Sequence, residues 1–270
     1  MSYTFSEFQC PLTTSIQVGN KTISNRRWIE VSNSKIKVDL APLPGLHTES
    51  LEESLEDFKA ETFNTPSALF VKECFEIFTS TQETQVESND LFYIDLNLDP
   101  SKVAKDLSSS IYKIKIGRNK LAEESIWLKE FINSVPEGIK LRLDGNRSFS
   151  LDSLNKYLHG IDFKKVQYLE EPLQNVMEWT SLERFNELDL AIDESINRRR
   201  ELDFAKYIVA KPTFNISLKD TLKELALENQ EVIISNSFDP PNNIKILKMI
   251  AAEGEHICGL DTLKYFCLEN

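Results

Sequence analysis

At 270 residues, with 41% hydrophobic and 27% charged side chains, the chain is long enough for one large globular domain or for a barrel with a small extra domain. Its formal net charge of -12 argues against nucleic acid and anionic membrane surfaces as partners, but a bound metal and a few lysines can reverse the potential locally for a small anionic carboxylate substrate. Residues 1–10 lack a basic start followed by an apolar core, no apolar run nears the ~20 residues of a membrane helix, and the four cysteines form no C-x-x-C pair, so a cytoplasmic protein with reduced thiols is expected.

Residues 3–40 read as β. Runs at 3–5, 27–31 and 35–38 are separated by the turn signals Gly19-Asn20 and Asn33-Ser34. The stretch 42–45 (Pro-Leu-Pro-Gly) breaks this pattern, and helical spacing follows over 49–61 and 67–78. Residues 1–88 therefore form an expected α+β capping domain, ended by the polar run 79–89.

From 89 to 270 the texture changes. Apolar β runs at 91–96, 112–116, 139–143, 166–169, 190–192, 207–210, 232–234 and 256–260 alternate with helix candidates at 123–133, 151–158, 179–186, 218–227 and 244–252. Such alternation specifies parallel βαβ units. Eight runs in so short a stretch fit a TIM-type (β/α)7β barrel better than an open sheet, and no glycine-rich phosphate loop follows the first run.

In such a barrel the site lies where the strands end. The ends here carry Lys113 and Lys115, Asp144 and Asn146, Glu170 and Glu171, Asp193 and Glu194, then Lys211, Ser235 and Gly259. Taken singly, each acid also suits the first turn of a following helix. Together they place three carboxylate-bearing strands between two lysine-bearing strands. Three carboxylates suit Mg²⁺, a hard cation that prefers oxygen. A metal so held can bind a substrate carboxylate and stabilise the enediolate formed when the neighbouring carbon loses its proton. Lys113 and Lys115 share one side of their strand, so Lys113 is placed to lower the pKa of Lys115 and make it a base. His47, His159 and His256 show no ligand spacing and are expected to be non-catalytic.

The segments Lys113-Ile114-Lys115, Leu143-Asp144-Gly145-Asn146, Leu169-Glu170-Glu171-Pro172, Asp193-Glu194-Ser195 and Lys211-Pro212 resemble the signature of the enolase superfamily, in its muconate-lactonizing-like branch. That superfamily is an established case of a lysine or histidine base working with magnesium. The resemblance implies Asp144, Glu170 and Asp193 as ligands of Mg²⁺, with Mn²⁺ a substitute, and Glu171 turned away to support them. It implies Lys115 as the base and Lys211 as a cation on the other face of the substrate. Lys113, Arg142 and Asn146 support the site, and Ser235 and Gly259 contact substrate. Arg142, residues 42–45, Pro66-Ser67 and the run 259–263 (Gly-Leu-Asp-Thr-Leu) point within the branch to a dehydratase that forms an aromatic product. The alternative is racemisation of N-acylamino acids or epimerisation of dipeptides at the same site; Gly259 stands where dipeptide epimerases carry the first acid of an Asp-x-Asp pair.

Overall fold

The β-rich start of the chain folds as one long hairpin. In the computed structural model, which describes residues 2–184, 188–227 and 230–268, β1 (Thr4–Val18) pairs antiparallel with β2 (Lys21–Ser32), and β3 (Lys37–Leu40) pairs with β2. Gly19, at φ +54°, supplies the left-handed backbone of the turn. The register shifts between Pro11 and Ile16, where proline cannot donate to the ladder. β1 is far longer than the three residues expected. Most of its side chains are exposed, so it carries too few apolar positions to display a two-residue period.

The two helices that follow have their stops written locally. α1 (Leu51–Lys59) opens with a reciprocal cap between Ser50 and Glu53, and α2 (Pro66–Ile77) with Thr65 as cap and Pro66 in its first turn. Both fall within two residues of the expected ranges.

The chain forms two compact units, one of residues 1–87 with 210–270 and one of residues 88–209. In the first, an apolar cluster joins Leu12, Ile16 and Trp28 of the hairpin to Leu43 and Phe266. This unit also holds α6 (Leu218–Leu227), β10 (Glu231–Ile234) and α7 (Pro241–Ala251). The N-terminus of α7 is tied to β3 through Asp39, whose carboxylate accepts from Asn242 N at 3.1 Å and Asn242 Nδ2 at 2.9 Å. Burial pushes the Asp39 carboxyl up from an ordinary 3.8 to about 7, against the lowering effect of the Asn242 bonds. The folded state thus holds a proton that the unfolded chain releases. This contribution to stability is complete below about pH 4 and is lost as pH rises through about 7. Between pH 5 and pH 8 it falls by on the order of 2 kcal/mol. Urea unfolding at those two pH values should show that loss in the wild type and its absence in Asp39→Asn.

The second unit is a run of parallel strands, in the spatial order β4 (Asp90–Tyr93), β5 (Ile111–Lys115), β6 (Lys140–Asp144), β7 (Val166–Glu170), β8 (Leu190–Ile192) and β9 (Tyr207–Ala210). Parallel neighbours require crossovers, supplied by α3 (Pro100–Lys105), α4 (Leu121–Ser134), α5 (Leu151–Tyr157) and irregular segments. α4 buries Trp127, Leu128, Phe131 and Ile132, and its Trp127 and Phe131 stack on Phe92 of β4.

Three sequence expectations differ from what forms. The helix expected over 179–186 is a 3-10 helix over Val176–Arg184, and Asn186 lies outside the described residues. α3 was not anticipated, because six residues are too few to show a helical period. The strand expected over 256–260 reduces to isolated bridging, with Gly259 paired to Ser235; a glycine in so short a run weakens strand pairing.

Candidate active site

Strand register delivers the acids to one level. Lys115 lies opposite Asp144, Asp144 opposite Glu170, and Glu170 opposite Ala191, which puts Asp193 just past the end of β8. Asp144, Glu170 and Asp193 are fully buried. Their charge is answered from β5. Lys113 Nζ stands 2.9 Å from Asp144 Oδ2 and 2.7 Å from Glu170 Oε1. Lys115 Nζ stands 2.5 Å from the same Asp144 oxygen and 2.9 Å from Asn146 Oδ1. Both lysines therefore project to the same side of β5, as their spacing requires.

Burial opposes a charge on Lys113, but the fields of Asp144 and Glu170, with Tyr168 and Asp193, hold its pKa well above an ordinary lysine. Burial likewise opposes the Asp144 anion, and Lys113 and Lys115 overcome it and hold that carboxyl well below the usual range. Lys113 is thus a fixed cation beside Lys115.

Glu171, just past the end of β7, turns its carboxylate to the loop after β8. Its Oε1 accepts from Asp193 N at 3.0 Å and Ser195 N at 2.6 Å, and its Oε2 from Ser195 Oγ and from Arg147 Nε, each at 3.0 Å. One carboxylate so fixes the loop that carries Asp193. The Gly145 turn packs directly on this stretch: Gly145 N donates to Glu170 O, and a Cβ at Gly145 would stand 2.9 Å from Pro172 Cα. Asn146, Arg147 and Glu171 have left-handed backbone (φ +41°, +57° and +39°), a concentration of strain where the strand ends are cross-tied. Asn146 links three strand ends: its N donates to Asp144 Oδ1 at 3.0 Å, its Oδ1 accepts from Lys115 and Arg118, and its Nδ2 donates to Glu194 Oε1 at 3.2 Å.

Glu124, Arg118, Arg147 and Ser195 were not singled out as site residues. Glu124 shows in the sequence only as an acid in the first turn of α4. In the structure it is fully buried and accepts from Gly117 N (2.5 Å), Asn119 N (2.8 Å), Arg118 N (3.1 Å) and Tyr157 Oη (2.6 Å). It therefore clamps the loop that leaves Lys115. Glu124→Ala should strand those donors, at about 1–3 kcal/mol each where they stay dry, and hydrogen exchange at residues 117–119 should accelerate well beyond that of neighbouring strand amides.

Arg142 is fully buried and serves β6 and its neighbours: Nε donates to Gln167 Oε1 at 2.8 Å, Nη1 to Asn89 Oδ1 at 2.7 Å, and the guanidinium lies over the Tyr168 ring. Lys211, Ser235 and Gly259 belong to the other compact unit, where consecutive segments bring their backbones together. Ser235 N donates to Ala210 O at 2.8 Å, Gly259 N to Ile234 O at 2.8 Å, and Asn236 Nδ2 to Gly259 O at 2.6 Å. His47 is a buried structural group: Nδ1 accepts from Leu43 N at 3.0 Å, which leaves Nε2 to donate to Thr213 O at 2.9 Å. His159 is exposed, and His256 faces Glu231 at 3.3 Å. All four cysteines are free thiols.

The donor set of Asp144, Glu170 and Asp193 is all oxygen, anionic and dry, which suits a hard divalent cation. Among the described residues no three acidic, histidine or cysteine side chains are drawn into a ready-made cage. The Lys113 ammonium instead bridges the first two acids. The chemistry of the set fits the ion, and the lysines supply the countercharge in this arrangement.

Comparison with known proteins shows which folds and sequences this chain is similar to. No family model matches the chain. Among solved structures, an o-succinylbenzoate synthase from Thermosynechococcus elongatus, complexed with Mg in its active site, superposes with a TM-score of 0.80 over 100% of this chain and 95% of that one, at 18% identity. The L-Ala-D/L-Glu epimerase of Bacillus subtilis superposes at 0.74 over 99% and 91%, at 12% identity. The fold is the one these structures share, parallel strands joined by crossover segments together with an antiparallel N-terminal sheet. In sequence the chain resembles o-succinylbenzoate synthases. Those of Aliivibrio salmonicida and Aliivibrio fischeri are 22% and 23% identical to it, over 97% of this chain and 90% of theirs. No helix among the described residues is long and apolar enough to cross a membrane.

Proposed function

We propose that the protein is an o-succinylbenzoate synthase that dehydrates 2-succinyl-6-hydroxy-2,4-cyclohexadiene-1-carboxylate to 2-succinylbenzoate and water, a step of menaquinone biosynthesis. The observation that carries this reading is the run of buried charges at successive strand ends, with Lys113 and Lys115 beside Asp144 and Glu170. The likeness to synthases along nearly the whole chain supports the choice of substrate. In this reading residues 1–88 cap a catalytic domain of residues 89–270.

Asp144, Glu170 and Asp193 would hold Mg²⁺. When bound, the ion would offset the charge that gathers on the substrate's carboxylate oxygens. Lys115 takes the proton from the carbon next to that carboxylate and returns it to the departing hydroxide. Lys113 remains charged and opposes a second charge on Lys115, whereas the Asp144 carboxylate 2.5 Å from the Lys115 ammonium favours it; a metal ion on Asp144 would offset that carboxylate, as a base at Lys115 requires. Lys211 contributes a cation on the opposite face of the ring, and Ser235 and Gly259 receive the succinyl end. Glu171, Asn146 and Glu124 touch no substrate and act by position. Aromatisation drives the reaction, so charge stabilisation is the main catalytic demand.

Proton abstraction next to a carboxylate also underlies epimerisation, and the fold is shared with a dipeptide epimerase. The absence of an acid at Gly259 favours dehydration. Parallel assays separate the two reactions. Purified protein should form 2-succinylbenzoate far faster than it exchanges the α-proton of L-Ala-L-Glu or an N-succinylamino acid in D2O; exchange without dehydration would overturn the reading.

A further inference from the structure

The first compact unit contains a cleft of about 700 Å³ built from residues that have no part in the candidate active site. Its floor is Phe58, only 4% exposed, with the rings of Tyr3, Phe63 and Phe75 around it at centroid distances of 5.3, 5.8 and 6.3 Å. Phe5 completes the aromatic wall at 6.3 Å. The volume falls in the range of small-molecule sites, and the lining is apolar at its base.

The loop that presents Phe63 is strained. Phe63 and Glu61 have left-handed backbone, at φ +54° and +56°, which bulky residues rarely adopt. The Asp57 carboxylate holds the loop there. Its Oδ2 accepts from Thr65 N at 2.7 Å and Thr65 Oγ1 at 2.8 Å, and its Oδ1 accepts from Thr62 Oγ1. The strained loop sets the Phe63 ring beside Phe58 in the wall of the cleft.

The rim sets the charge of that occupant. Lys59 Nζ lies 5.0 Å from the centre of the Phe5 ring and Lys72 Nζ 5.4 Å from that of Phe63, and Lys35 also lines the mouth. Of the two acids present, Glu61 is exposed, and Glu76 is met by Lys72 at 3.0 Å and by Lys219 at 2.6 Å. The three lysines Lys35, Lys59 and Lys72 outnumber the acids Glu61 and Glu76, so the mouth carries a small net positive charge on a chain whose net charge is -12. An aromatic cage for a cation would need the opposite rim.

We propose that this cleft binds a flat aromatic carboxylate, with its ring against Phe58 and Phe63 and its carboxylate at the lysines of the rim. The proposal does not depend on the reaction assigned above. Calorimetric titration of the full chain with 2-naphthoate, and with the neutral 2-naphthylmethanol, tests it. Saturable binding of one naphthoate at the cleft is expected, with the alcohol about tenfold weaker for want of a charge-assisted contact. Lys59→Gln and Phe63→Ala should each weaken naphthoate about tenfold. Lys59 is at the surface, so its variant keeps the test sound if Phe63→Ala does not fold. Four outcomes would overturn the proposal: no saturation, equal affinity for the alcohol, indifference to Lys59→Gln, or a dimer in light scattering that Phe63→Ala dissolves, which would make the cleft a contact between copies of the chain.

Discussion

Lys115→Ala should lower turnover of the cyclohexadiene carboxylate by about 10³-fold or more, within the range of a lost general acid–base group that acts twice in one cycle. The same variant should keep its thermal stabilisation by Mg²⁺, because Lys115 meets the acids through its ammonium and contributes no oxygen donor. The two readouts together separate a chemical role from a structural one. Ethylamine added to the alanine variant should restore part of the rate, as a small amine can occupy the vacated side-chain space. Turnover within about tenfold of wild type would remove Lys115 from the base role.

Asp144→Asn is expected to have the largest effect on both stability and metal response. Asp144 Oδ2 is shared by two ammonium groups, and the residue has no exposure to water. Removing its charge takes one carboxylate away from both Lys113 and Lys115. Breaking a buried ion pair from one side costs about 3–5 kcal/mol. The pH dependence follows from the direction of its shift. Because the folded-state pKa lies below the unfolded value, the contribution is complete above the unfolded carboxylate range and is lost as pH falls through the folded pKa. Wild type and variant should therefore differ most at neutral pH and converge in acid. Melting at pH 7 with and without MgCl2 reads the second effect: an upward shift for the wild type, as expected of a ligand that binds only the folded state, and none for the variant. An unchanged magnesium shift in Asp144→Asn would take this residue out of the ligand set.

The barrel signature was legible because five successive strands are short apolar runs that stop at a charged residue. That is a one-dimensional pattern, and it maps onto one level of the structure through parallel register. The different roles of Glu170 and Glu171 were implied by the family resemblance. What the sequence hid is tertiary. Glu124 looks like any acid in a first helical turn until the loop after β5 is seen to wrap around it. The interplay of Arg147, Ser195 and Glu171 depends on two loops meeting from different strands. β1 was misjudged in length because an exposed strand carries little apolar periodicity, and the segment over Val176–Arg184 has helical spacing but winds as a 3-10 helix. Three carboxylates at strand ends suit a metal ion, and the contact the sequence did not show is the Lys113 ammonium that bridges two of them. An alternating pattern places side chains on a face but does not say which countercharge sits between them.

The central claim is a magnesium-dependent dehydration carried by the strand-end acids and Lys115. Its most direct test is the formation of 2-succinylbenzoate, followed by absorbance, from the cyclohexadiene substrate and purified protein, first with MgCl2 and then after chelation. Rapid product formation with the metal, abolished by chelation and restored by adding Mg²⁺ back, is the predicted result. No product with the metal present, or a rate untouched by chelation, would contradict it.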